Sequence, residues 1–368
     1  MCVLPWWFLK SSLRLVILLS LTLAADRAVA QRTISEVQLP PPTNWVQTDV
    51  AAVGLTWPIA CGSPTGIYFR QLVGKESWTF TPISVLFPDG TSKTIDLRAA
   101  SNFQEPVIGT TFDVDRQGNI YVAIQIGRGI QWYVAKYDES GKFIYKIVLP
   151  KRFMPFFLLP ISGDRVLTGG TFTRSSGEET HTKSLVAIFD REGNQLNSLS
   201  LPGDDSNEII AKEPNVKQIY YSVSNPTIEA GKAVLGEDGN IYVLRASDKP
   251  VVQVISQQDG IPLRTFELEP AGNDMLPSEF LIYKDSIAVG YFISKSDKIC
   301  PTKGLLILYG RDAGDVMMRY LVQLAPPLFV CVQDHQLVYF QGSKERPNYH
   351  IARVAIPTAA VEHEAQLK

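Results

Sequence analysis

The chain has 368 residues with 35 basic and 37 acidic side chains, a formal net charge of -2 and no block of like charge. This balance argues against nucleic acid and anionic membrane surfaces as partners, because both select strongly basic regions. Length alone would suggest two domains, but the internal repeats described below favour one.

The first thirty residues have the organisation of a secretory signal peptide. Lys10 and Arg14 precede an apolar stretch at 15–25, and the small residues at 28–30 predict cleavage after Ala30. The apolar stretch is about half of the roughly 20 residues needed to span a bilayer, and a membrane anchor is the alternative interpretation. We therefore expect a secreted or periplasmic protein without stable membrane insertion after cleavage.

A turn that leads directly into an apolar strand recurs along the chain. The sequence DRQGNIYVA at 115–123 returns as EDGNIYVL at 237–244, and weaker copies occur elsewhere. The equivalent positions in these copies are Ile67, Ile120, Val166, Ile241, Ile287 and Leu337. They are separated by 53, 46, 75, 46 and 50 residues, and periods of about 40 to 50 residues indicate the blades of a β-propeller.

A second marker gives the number of strands in each unit. An apolar strand that ends at or near proline, as in YKIVLP and RTFELEP, follows a further hairpin turn. In the clearest unit we predict strands at 107–114, 119–126, 131–138 and 142–149. The predicted fold is therefore all-β, a six-bladed β-propeller of four-stranded antiparallel blades, with seven blades as the alternative.

The last unit supplies only three strands before the polar tail at 361–368. Because a propeller hides its sheet edges by closing into a ring, we predict that an N-terminal strand at 33–40 completes the last blade. Its VQLP ending matches the terminal-strand marker. Residues 31–360 then form one propeller domain, with an insertion at 203–231 that is short for a whole blade.

Three cysteines remain in the mature chain, in a compartment where disulfides form. Their spacing matches no zinc-binding pattern. We predict a disulfide between Cys300 and Cys331, which are expected near one face where neighbouring blades meet, and a free Cys61. The predicted state is a monomer, and a dimer through the unpaired cysteine is the alternative.

The units DRQGNIYVA and EDGNIYVL, with YDESGKFIYKIVLP behind the first, resemble the NHL-like six-bladed extracellular propellers. The resemblance covers almost all of the mature chain and implies the propeller fold. The acidic-Asn-Arg stretch that usually follows the second strand in that family is replaced here by AIQIGRGIQW.

The polar residues of the repeated turn are candidate metal ligands. We predict instead that Asp115, Asn119, Asp238 and Asn240 bond to local backbone groups, as turn residues do. Lactonase-like propellers hold a divalent metal in the channel with carboxylate and amide ligands, but the innermost strands predicted here are almost wholly apolar. A Gly-x-Ser-x-Gly elbow is absent from the sequence. We therefore predict no metal, no cofactor and no catalytic residue.

Loops that join the second strand to the third, and one blade to the next, are expected around one mouth of the channel, here called the loop face. Arg128, Trp132, Tyr220 and Tyr221 lie in these loops or at their borders, and such residue types dominate binding hot spots. We predict that they bind a ligand, although Trp132 and the tyrosines also fit core positions. The insertion at 203–231 is expected either to form part of this rim or to cap the third blade.

The predicted function is a binding scaffold for a protein or carbohydrate ligand. The alternative is a metal-dependent propeller hydrolase or lyase of the lactonase-like kind, acting on a small molecule. Three or more carboxylate or amide groups converging in the channel would favour the enzyme.

Overall fold

The computed structural model describes the chain between residues 36 and 355, with gaps. The described ranges are 36–38, 45–48, 60–61, 66–70, 82–87, 89–97, 103, 107–127, 130–176, 179–199, 209–211, 233–245, 250–272, 275–293, 304–322, 328–333, 336–342 and 349–355. The predicted signal peptide and polar tail lie outside them. All the described strands belong to one unit, Glu36–Lys368.

The described residues form strands numbered here in chain order, which group into six sheets. Two short strands come first, β1 (Glu36–Gln38) and β2 (Trp45–Thr48). The first sheet contains β3 (Ala60–Cys61), β4 (Ile67–Arg70), β5 (Ile83–Leu86) and β6 (Ser92–Ile95). The second contains β7 (Val107–Val114), β8 (Ile120–Ile126), β9 (Trp132–Tyr137) and β10 (Phe143–Val148). The third contains β11 (Phe153–Ile161), β12 (Arg165–Ser176), β13 (Glu179–Phe189), β14 (Gln195–Ser198) and an added β15 (Ile209–Ala211).

The remaining three sheets follow the same order. The fourth contains β16 (Ala233–Leu235), β17 (Asn240–Arg245), β18 (Val251–Ser256) and β19 (Pro262–Glu267). The fifth contains β20 (Met275–Tyr283), β21 (Ser286–Ile293), β22 (Gly304–Gly310) and β23 (Val316–Val322). The sixth contains β24 (Leu328–Gln333), β25 (Gln336–Gly342) and β26 (Tyr349–Val354). The prediction of an all-β propeller with four-stranded antiparallel blades is confirmed, and β7 to β10 lie within one residue of the predicted strands.

The first strands of the sheets surround a central channel. β3 contacts β7, β7 contacts β11, β11 contacts β16, β16 contacts β20 and β20 contacts β24. β24 of the sixth sheet contacts β3 of the first. The sheets therefore follow one another in chain order around a closed ring, which is how a propeller protects its inner edges.

The closing strand lies further along the chain than predicted. β2 pairs antiparallel with β26 as the outermost strand of the sixth sheet, with Trp45 opposite Ala352. The predicted closing segment at 33–40 contributes β1 instead, which pairs parallel with β23 of the fifth sheet, Glu36 opposite Arg319. The N-terminal segment therefore joins the outer edges of two sheets, and the prediction assigned its first strand to the wrong one.

The outer edge of the fifth sheet differs from those of the second and fourth sheets in what covers it. In the third and fifth sheets, a glycine in the turn before the fourth strand lies against the preceding sheet. A Cβ on Gly193 would meet the carbonyl of Val148, and one on Gly314 would meet the carbonyl of Glu267. The sixth sheet takes its third and fourth strands from opposite ends of the chain. Its third and fourth strands are therefore not consecutive in the chain, and β1 pairs with the outermost hairpin strand of the fifth sheet.

The core consists of apolar clusters between neighbouring sheets. Ile83 of the first sheet packs with Ile120 of the second, and Leu159 of the third packs with Ile241 of the fourth. Ile120 and Ile241 are the equivalent positions of the repeated sequence, and both are 0% exposed. The repeat therefore marks the core of the fold.

Cys61 forms a disulfide with Cys331, which corrects the predicted pairing of Cys331 with Cys300. The two Cα atoms are 6.2 Å apart, in β3 and β24, where the sixth sheet meets the first. Cys300 lies outside the described residues. Cys61 was predicted to be free, but closure of the ring brings its strand beside β24.

Charged side chains also join the second and third sheets. Lys136 Nζ lies 2.8 Å from Asp164 Oδ1, and 5.2 and 5.4 Å from the ring centroids of Tyr121 and Tyr145. Arg191 Nη1 lies 3.7 Å from the same carboxylate. The hydrogen bond from Lys136 holds the pKa of Asp164 below its ordinary value, and burial raises the pKa of Tyr145. These charged and aromatic side chains therefore stabilise the contact between the second and third sheets.

Candidate functional site

The third sheet extends beyond its innermost strand on the loop face. β11 pairs with β12 only from Phe153, which lies opposite Phe172. β12 and β13 continue to pair with each other beyond that point, through 173–176 and 179–182. We call these residues, together with β15, the third-sheet extension. The Thr- and Ser-rich sequence on both sides of Gly177 is a signal that could have predicted so long a hairpin.

The outer edge of the third-sheet extension is covered by β15. This strand pairs antiparallel with β13, with His181 opposite Ile210. β15 comes from the predicted insertion at 203–231, whose other residues lie outside the described ones. His181 lies in β13 and is half-buried. The capping interpretation predicts contact between the insertion and the third sheet, and residues 209–211 make that contact.

The inner edge of the third-sheet extension is open among the described residues. Arg152, just before β11, has a φ of +64°, and its N–H donates to the Ile130 carbonyl of the second sheet at 3.3 Å. The chain thus turns away from β12, and no strand within the described ranges pairs with the inner side of 173–176. Lys151 and Arg152 are both exposed. The base of this open edge therefore carries two exposed cations.

Two buried arginines hold neighbouring sheets together at the ends of second strands. Arg245 ends β17, is 4% exposed and donates to the Leu199 carbonyl at 3.3 Å. Arg70 ends β4, is 5% exposed and donates to the Gly109 carbonyl at 3.0 Å. Burial lowers the pKa of Arg70 to about 10. Both guanidinium groups therefore stabilise contacts between neighbouring sheets. They lie where the second strands end and the loops to the third strands begin.

Innermost strands carry β-bulges in the channel wall. The register shifts lie between Gly109 and Phe112, Pro155 and Phe157, Pro277 and Glu279, and Phe329 and Cys331. In the third sheet, Gly169 and Gly170 make room for the bulge, because an added Cβ would meet the Phe157 ring or the Met154 carbonyl. Phe156, within that bulge, is 39% exposed. Bulges often redirect side chains next to binding sites, and this one presents an aromatic ring.

Of the four predicted binding residues, Trp132 alone lies within the described ranges. Arg128, Tyr220 and Tyr221 lie outside the described residues. Trp132 is 7% exposed and packs in the cluster between the second and third sheets, near Phe153. Its indole is therefore part of the core and offers little surface to a ligand.

The carboxylates of the repeated turn bond to their own turns, which confirms the structural role predicted for them. Asp115 accepts hydrogen bonds from the N–H groups of Gln117 and Asn119, at 3.0 and 2.9 Å. Asp238 accepts from the Asn240 N–H at 3.1 Å and from the Tyr242 hydroxyl at 2.7 Å. Burial, followed by this hydrogen bond, raises the pKa of Tyr242 to about 12. These carboxylates organise the turns that begin the second strands.

Two kinds of feature are absent from the described ranges, a cluster of metal-ligating side chains and a membrane-spanning helix. No group of three or more His, Cys, Asp or Glu side chains there could hold a metal ion. No helix among the same residues is long and apolar enough to cross a membrane.

No family model and no curated protein matches the sequence. Solved structures do resemble the fold. A virginiamycin B lyase from Staphylococcus aureus is 10% identical, with a TM-score of 0.43, covering 87% of this chain and 91% of its own. The Cps50 (Swd1) β-propeller domain of Myceliophteria thermophila is 12% identical, with a TM-score of 0.43, covering 81% and 83%. A protein of unknown function from Bacteroides caccae is 12% identical, with a TM-score of 0.39, covering 77% and 84%.

Proposed function

We propose that this propeller is a secreted or periplasmic binding scaffold that holds a protein or carbohydrate ligand on its loop face. The observation that carries the proposal is the third-sheet extension. Its two strands continue past the point where β11 ends, and a strand from the insertion reinforces them. Ordering extra residues costs conformational entropy, and long additions within a compact domain are usually either functional or disordered. The described part of this addition is paired in strands.

The contacts of the charged groups described above support binding over catalysis. Arg70 and Arg245 bond to backbone carbonyls of neighbouring sheets, and Lys136 pairs with Asp164 across another such contact. Asp115 and Asp238 bond within their own turns. The arginines and the Lys136–Asp164 pair hold neighbouring sheets together, and the two aspartates organise their turns. The inner edge of 173–176, which is unpaired among the described residues, and the exposed Phe156 are available to a ligand.

The finer classification that we propose is a six-bladed, NHL-like propeller that acts outside the cytoplasm. The six sheets and the ring of contacts between their first strands support the blade number. The disulfide between Cys61 and Cys331 supports an oxidising compartment, in agreement with the signal peptide proposed for residues 1–30.

A ligand array tests the proposed function. Labelled protein covering residues 31–368 is screened against glycans and extracellular peptides, beside a variant in which a short Gly-Ser linker replaces 205–228. The scaffold model requires that this variant lose ligand affinity while it keeps a cooperative melting transition. Reduced stability with unchanged affinity would assign the insertion to capping alone. Metal-dependent hydrolysis of a lactone panel would contradict the scaffold and support the enzyme alternative.

A further inference from the structure

We propose that the open inner edge of β12, at 173–176, binds an extended peptide that ends in a free carboxylate. The inference deepens the proposed scaffold function, and rests on it, by naming the ligand class and its position. An extended peptide can add a strand to an exposed sheet edge through backbone hydrogen bonds, and this is a common mode of peptide recognition.

The register of the third sheet sets the direction of the added strand. β11 begins at Phe153 opposite Phe172 and runs antiparallel to β12. A peptide that occupies the inner side of 173–176 in line with β11 runs in the same direction as β11. Its last residue therefore lies next to Arg152, where the protein chain turns away toward Ile130.

The charges at this end of the edge match a carboxylate. Lys151 and Arg152 are consecutive and exposed, and they lie at the base of the open edge. An arginine guanidinium can bind a carboxylate through two parallel hydrogen bonds, and a lysine adds a second positive charge. A peptide with a free C-terminus places its negative charge beside both cations.

The other side of the strand is already occupied. β13 pairs with β12 along the whole third-sheet extension, and β15 pairs with β13. The edge is thus held in an extended conformation before a ligand arrives, which reduces the entropy lost on binding. The inner side of 173–176 has no paired strand among the described residues, and a further strand fits on that side.

A pair of synthetic peptides tests the inference. The probes are acetyl-Thr-Val-Thr-Val-Thr-Val as the free acid and as the C-terminal amide, and binding to the full mature chain is measured by fluorescence anisotropy and hydrogen exchange. We expect the acid to bind about tenfold more tightly, a difference of about 1.4 kcal/mol, and to slow exchange of the amides at 173–176. Equal binding of acid and amide, or protection elsewhere, would overturn the inference.

Charge-reversal variants locate the carboxylate. Lys151→Glu and Arg152→Glu are expected to remove the tenfold preference for the acid. Lys142 is an exposed lysine just before β10, whereas Lys151 and Arg152 follow that strand. Lys142→Glu is expected to keep the preference for the acid. Association of the protein with itself through this edge, seen as a concentration-dependent mass without peptide, would also overturn the proposal. A ligand found by the array at another place on the loop face would leave the scaffold function standing while this inference fails.

Discussion

Cys61 is bonded to Cys331 across 270 residues of sequence, and the bond joins the innermost strands of the first and last sheets. The same junction is closed at its outer edge by the pairing of Trp45 with Ala352. Two independent connections therefore hold the ring shut, one beside the channel and one at the periphery. The junction is where a propeller without them would open first.

Removal of the disulfide is expected to destabilise the ring. A Cys61→Ser, Cys331→Ser double variant should lose about 4 to 5 kcal/mol of unfolding free energy, because a cross-link across so long a segment restricts the unfolded chain strongly. Denaturant unfolding with and without reductant measures the loss. Cys300→Ser is the matched control and should leave both the stability and the Cys61–Cys331 cross-linked peptide unchanged. A cross-linked peptide containing Cys300 would contradict the pairing.

Truncation from the N-terminus should reveal which strand closes the ring. Removal of residues 1–44 deletes β1, a short parallel strand, and should lower the melting temperature slightly. Removal of residues 1–48 also deletes β2, so the sixth sheet loses its outermost strand. The free energy of unfolding should then fall by roughly several kcal/mol, which is a large part of a typical domain's stability. Thermal unfolding compares the two truncations with a chain that starts at residue 31. Equal melting temperatures for both truncations would rule out closure by β2.

The Lys136–Asp164 pair should make a pH-dependent contribution to stability. The hydrogen bond lowers the pKa of Asp164, so the carboxylate stabilises the fold above its ordinary pKa of about 4, and this contribution is lost as the pH falls through the lowered value. Asp164→Asn should cost at most about 1 kcal/mol at pH 7, because the carboxylate is 37% exposed. Urea unfolding at pH 7 and pH 3 should show a smaller difference between wild type and variant at pH 3 than at pH 7. Asp285→Asn, whose side chain is 95% exposed beside Arg311, is the control and should have no measurable effect.

The bulge in the channel wall depends on glycine in the neighbouring strand. Gly170→Ala should destabilise the fold by about 1 to 3 kcal/mol, because its Cβ would meet the Met154 carbonyl, a backbone atom that cannot move aside easily. Gly239→Ala is the comparison, with a φ of +77° and no atom within 4 Å of an added Cβ. Its cost should be only the backbone strain of a left-handed conformation, about 1 to 2 kcal/mol. A larger loss at Gly239 than at Gly170 would contradict this account of the bulge.

The sequence alone determined the features that depend on neighbouring residues. Asp115 and Asn119 act within five residues of each other, so the turn and the strand after it could be predicted without knowing the fold. The bounds of the four strands of the second sheet, β7 to β10, were predicted within one residue for the same reason. Repetition of this local pattern was enough to predict the propeller.

Only the tertiary structure decided which distant segments meet. The sequence does not show that Trp45–Thr48 closes the ring, that Cys61 lies beside Cys331, or that Trp132 is buried between two sheets. Each of these outcomes depends on the closed ring, in which the first sheet packs against the last and every sheet covers its neighbour. The third-sheet extension adds a further case, because the pairing of β15 with His181 joins segments that no local pattern connects.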